Sequence, residues 1–161
     1  MQRAIIETLE RQFVQLHTRS CSLVSAHIPD VLYRSLTTTG IRPLFSTGEY
    51  LLRSAAAVER TFGGITANLW DDPFEWTLPE NLSTTERILE YLAEVEATRV
   101  RAFARFSDDD DLLKEVLVPN GSTRTLVDLI CETLVEAADY QGRAITMLSI
   151  ISQGEFPKNK S

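Results

Sequence analysis

Apolar residues recur at intervals of three and four along four separate segments of this chain, and no other feature restricts its fold as much. Ile6, Leu9, Phe13, Leu16 and Leu23 form the first series, which Pro29 stops. Leu51, Ala55, Val58, Phe62, Ile65 and Leu69 form the second, and Ile88, Leu92, Val95, Ala102 and Phe106 the third. The last runs through Leu126, Ile130, Leu134, Ala137, Gln141, Ile145, Leu148 and Ile151 until Gly154 and Pro157 end it. Each series places its large side chains on one face of an amphipathic helix, so the spacing predicts four long helices.

Helix start signals agree with the period. Ser46 with Glu49, Ser83 with Glu86 and Thr125 with Asp128 fit the capping-box pattern, in which a hydroxyl and a carboxylate satisfy each other's orphan backbone N–H groups. The connections are long: residues 28–46 carry Pro29, Gly40 and Pro43, residues 70–82 read WDDPFEWTLPENL, and residues 107–124 carry four consecutive aspartates. Such lengths predict an all-α, four-helix bundle with long crossover connections instead of tight hairpins. Strand content should be negligible, with EVLVP as the one doubtful stretch. The aspartate run lacks the spaced oxygens and the glycine of a calcium loop and is read as a cap on the segment that follows.

A chain of 161 residues, 43% hydrophobic, has enough apolar material for one core. Residues 1–153 are therefore read as a single domain, and 154–161, GEFPKNKS, as a disordered tail. The net charge of −7, with no lysine or arginine cluster, argues against nucleic acid as a partner. No apolar run approaches the ~20 residues of a membrane span, and the charged N-terminus is unlike a signal peptide, so no membrane is expected and the location is read as cytoplasmic. Cys21 and Cys131 lack ligand spacing and are taken as reduced, helix-packed thiols. His17 and His27 do not form a helical ligand pair.

Two stretches resemble the DinB-like (DinB/YfiT) family of four-helix bundles. LLRSAAAVERTF, Leu51–Phe62, is similar to the family's second helix, and TLVDLICETLVEAADYQGRAITML, Thr125–Leu148, to its last. Family members carry three histidines there that bind a divalent metal, which activates a thiol or a water. In this sequence the corresponding positions are Ser54, Ala137 and Gln141, and none of these side chains replaces an imidazole ligand. The resemblance thus implies a degenerate site with no metal and no cofactor.

The polar gap this leaves has two readings. Gln141, on the inward stripe, is either a satisfied core amide, bonded to Ser54 or to buried water, or one polar point of a ligand pocket made with Ser54, Ala137 and Tyr140. Gly142 suggests close helix approach or pocket space. Trp70, Phe74 and Trp76 either tie the second connection onto the helices or wall the pocket mouth. Glu132, Glu136 and Asp139 read as a solvated face, with Asp139 four residues before Arg143.

Two functions follow from the resemblance. One is a metal-free module that binds a small ligand or a partner and forms a homodimer through exposed helix faces. The other is a metal-dependent, thiol-using transferase or hydrolase whose site is rebuilt from Glu59, His17 or carboxylates of the crossovers. The residues themselves assign no catalytic group and no substrate.

Overall fold

The computed structural model describes residues 2–36, 44–73 and 79–154. Their fold is mainly helical: α1 (Ala4–Ala26), a single turn α2 (Pro29–Leu32), α3 (Thr47–Ala67), α4 (Thr85–Phe103) and α5 (Leu126–Gly154). A 3-10 turn at Asp109–Leu113 and two short strands, β1 (Glu115–Leu117) and β2 (Thr123–Thr125), fill the last connection. The four long helices match the four apolar series. Among the described residues strand is confined to the doubtful stretch, as expected, and to the segment it pairs with: Glu115–Leu117 pairs antiparallel with Thr123–Thr125, Val116 opposite Arg124, and Gly121 takes the left-handed conformation (φ 82°) in the turn.

Capping explains where the helices begin. Ser46 starts α3 with a complete box: its hydroxyl accepts from the Glu49 amide (3.2 Å) and the Glu49 carboxylate accepts from the Ser46 amide (2.8 Å). The other two boxes differ from expectation. Thr84, not Ser83, caps α4 by accepting from the Arg87 amide at 3.2 Å. Thr125 accepts from the Asp128 amide at 3.3 Å, but the Asp128 carboxylate turns to Arg124, so only half the box forms.

α1 has no side-chain cap of its own. Asp109 supplies one from the connection between α4 and α5, its two carboxylate oxygens accepting from the Ile5 and Ile6 amides at 3.1 and 3.0 Å. The aspartate run thus caps the first helix and not, as expected, its own turn, which has no side-chain cap, although Asp111 accepts from the Ser107 amide just ahead of it. α3 stops earlier than its apolar series because Asn68 turns left-handed (φ 56°), which leaves Leu69 62% exposed. α5 extends through Gly154, one residue past the expected boundary, and the tail from 155 lies outside the described residues.

The core forms where α1, α3 and α4 meet. Phe13, Phe62 and Phe103, one from each helix, lie with ring centroids 5.2 to 6.0 Å apart. α3 packs most extensively along α5, and α1 lies against α4 and α5. Ile88, Leu92, Val95 and Ala102 of α4 are buried as their spacing predicts, but between them Arg99 is buried too, 3% exposed. Its guanidinium is held by Glu96 through Nε (3.0 Å) and Nη2 (2.6 Å), with Glu10 of α1 at 3.6 Å. A charge on an apolar stripe is tolerated because a bidentate carboxylate follows it inside. Among the described residues, no helix is long and apolar enough to cross a membrane.

Candidate functional site

The packing of α3 on α5 brings Ser54 and Ala137 together. Both are buried, and the Ser54 hydroxyl donates to the Ala137 carbonyl at 2.7 Å. A small residue at each position lets the two backbones approach closely enough for this bond. One turn further along α5, Gln141 is 1% exposed, and its Nε2 donates to the Ser20 hydroxyl and to the Leu16 carbonyl of α1, both at 2.8 Å. The spacing predicts this amide inside, with Ser54 or water as its partner. The partners belong to α1 instead, so the two polar side chains fasten α5 to different neighbours.

Bonded amides and hydroxyls are what makes such burial tolerable, since an unpaired one costs on the order of 1–3 kcal/mol. The space left beside Ser54 is small. A cavity of about 30 Å³ is bordered by Ser54, Ser20, His17, Phe13 and Leu92. That is room for one or two waters, well below the few hundred Å³ of a small-molecule site. Tyr140 stands at its edge of the helix half-buried, its ring 6.4 Å from that of Tyr50, with Arg143 5.8 Å from the ring centre.

The residues at this seam do not fit a transition metal. Ala137 has no donor atom, the Ser54 proton is committed to a carbonyl, and Gln141 directs its NH₂ group, which cannot ligate, at α1. Among the described residues, no group of three or more histidine, cysteine, aspartate or glutamate side chains is arranged to hold a metal ion. Glu59 and His17, the candidates for a rebuilt site, do not converge: Glu59 accepts from the Tyr91 hydroxyl at 2.7 Å, while His17 has Nε2 3.6 Å from the Cys21 sulfur. Burial, and then the charge of Glu96, push the Cys21 thiol above its ordinary pKa, so this cysteine is a poor nucleophile.

Other residues differ from what the spacing suggested. Gly142 is exposed and a Cβ there would meet no atom within 4 Å, so it marks neither a close helix approach nor a sealed pocket. Cys131 is exposed, not packed between helices. Trp70 is half-buried: its ring lies on Gly64, where a Cβ would come within 2.2 Å of it, and its Nε1 donates to Asn68 Oδ1 at 2.9 Å. It walls a cleft toward the hairpin and does not border the cavity beside Ser54. Phe74 and Trp76 lie outside the described residues. Asp139 pairs with Arg143 at 2.8 Å as the spacing predicts, and Glu136 with Arg60 at 2.8 Å.

Sequence reasoning passed over one buried pair, Thr61 and Thr133, whose hydroxyls lie 2.5 Å apart between α3 and α5. Thr133 falls between Ile130 and Ala137 on the inward stripe, which was the available signal. No protein-family model matches the chain, and no curated protein matches its sequence.

Proposed function

We propose that this chain is a four-helix bundle of the DinB-like type that has exchanged its metal centre for a structural polar seam, and that it acts as a binding and interaction module. The observation that carries this reading is the full engagement of the seam: Ser54 bonds the Ala137 carbonyl and Gln141 bonds Ser20 and Leu16, so the positions of the family's ligands hold helices together. The metal-dependent, thiol-using alternative lacks a converging donor set among the described residues.

On this reading the interaction surface is the outward face of α5, where exposed Val135, Ala138, Gly142 and Ile150 follow one another at helical spacing, and the partner is a second copy of the chain. Elemental analysis of protein purified anaerobically tests the loss of the metal. Less than about one-tenth of an equivalent of zinc or nickel is expected, because transition-metal sites of useful affinity need preorganised imidazole, thiolate or carboxylate donors. A stoichiometric metal would overturn the proposal.

A further inference from the structure

A second cleft, of about 310 Å³, lies between the C-terminal half of α3, the N-terminal half of α5 and the tip of the hairpin, and nothing in the proposed function uses it. Its size is at the lower end of the range for small-molecule sites, ten times that of the cavity beside Ser54. Trp70 forms one wall, fixed in place by Gly64 beneath it and by the bond to Asn68. Thr61 and Thr133 lie at its base with their protons accounted for: Thr133 donates to the Leu129 carbonyl at 2.8 Å, so Thr61 donates to Thr133.

The charges around the cleft are balanced. Arg60 and Arg124 line it together with Glu132 and Glu136. A simple anion drawn to the guanidiniums would meet both carboxylates, and a simple cation would meet both arginines. A ligand that carries both charges a few ångströms apart gains from each and opposes neither. The two arginines are not equivalent. Arg124 is engaged by Asp128 and Glu132 together, whereas Arg60 reaches Glu136 through Nη2 alone and keeps further N–H groups for a carboxylate.

We propose that this cleft binds a free α-amino acid, its carboxylate on Arg60, its ammonium on Glu136 and its side chain against Trp70 and Pro119. The ion pair between Arg60 and Glu136, both about one-third exposed, opens to admit the zwitterion and is replaced by two pairs of the same kind. This ligand supplies a small-molecule partner for the binding-module reading but uses none of the seam residues, so a metal found in the purified protein would leave the inference untouched.

The test is a titration of the full chain, carrying Trp76→Phe so that Trp70 provides the single indole N–H signal in the NMR spectrum. Glycine, leucine, phenylalanine, glutamate and lysine are added in turn, with N-acetyl-leucine and leucinamide as forms that keep only one charge. At least one free amino acid should shift the Trp70 signal saturably, with a Kd of about 1 mM or tighter. Both blocked forms should bind at least about tenfold more weakly, and Arg60→Gln and Glu136→Gln should each weaken binding about tenfold, while Arg11→Gln, exposed on α1, leaves it unchanged. The absence of a saturable shift with all five amino acids would overturn the inference. So would equal binding of the blocked and free forms, or full affinity in both cleft variants.

Discussion

A buried amide such as that of Gln141 costs the fold little only while both of its partners are present. Removing it separates two effects that act at the same atoms. Gln141→Leu keeps most of the volume but leaves the Ser20 hydroxyl, 5% exposed, with no bond from α5. The expected loss is about 1–3 kcal/mol in urea unfolding, seen as a lower midpoint at an unchanged slope. Adding Ser20→Ala should recover part of that loss, because replacing both partners of a buried hydrogen bond is less harmful than replacing one. A Gln141→Leu variant as stable as the parent would show that the bonds to α1 contribute nothing net.

At the scale of elements, the helix ends depend on contacts remote in sequence. Asp109→Ala removes both bonds to the start of α1 and should cost about 1 kcal/mol, with amide exchange accelerated in the first turn of that helix and not in α5. Tyr33, at the end of α2, donates to the Leu82 carbonyl at 2.7 Å and packs its ring over Gly48. Burial, and then the charge of Glu49, raise its phenol to about 12. A folded-state value above the unfolded value of about 10 means that its contribution is complete below pH 10 and is lost as pH rises from there through 12. The thermal midpoint should therefore fall over that window, and less steeply in Tyr33→Phe, which has no proton to lose. Equal slopes would show that Tyr33 ionises as freely folded as unfolded. These ends also show why the sequence was legible only in part. Periodicity located all four long helices and the burial of Ala137 and Gln141, because it depends on residues a turn or so apart, whereas Ser54 lies off the apolar series of its helix and is singled out by the resemblance alone. The cap from Asp109, the bonds from Gln141 to α1 and the burial of Arg99 depend on which helix faces which, and no local pattern encodes that.

Over the whole molecule, the question is what covers the outward face of α5. Cys131, Val135, Ala138, Gly142, Thr146 and Ile150 share that face, Val135 at 69% exposure, with no charged side chain within the row. A groove walled by Leu44, Tyr50 and Met147 continues it beside Gly142. Asp139 and Arg143 border one edge. In an isologous antiparallel pairing about a twofold axis near Gln141, an edge meets the same edge of the second copy, so each Asp139 would face Arg143 of the partner subunit. Such a pairing would be self-complementary in charge as well as apolar in its centre, and small side chains at 138 and 142 would allow close approach. Light scattering should return a mass twice the 18.1 kDa of one chain. Salt should not dissolve the dimer, since screening also weakens the repulsion between two chains of net charge −7. Val135→Glu should restore the single-chain mass with the helical circular dichroism unchanged. Gly142→Ala distinguishes the face from the helix beneath it: within one chain the new methyl meets nothing within 4 Å and should stabilise α5 by about 1 kcal/mol, whereas between two helices it holds them apart. A more stable but more weakly associating Gly142→Ala protein is the expected result; a single-chain mass for the parent at every concentration would exclude the pairing.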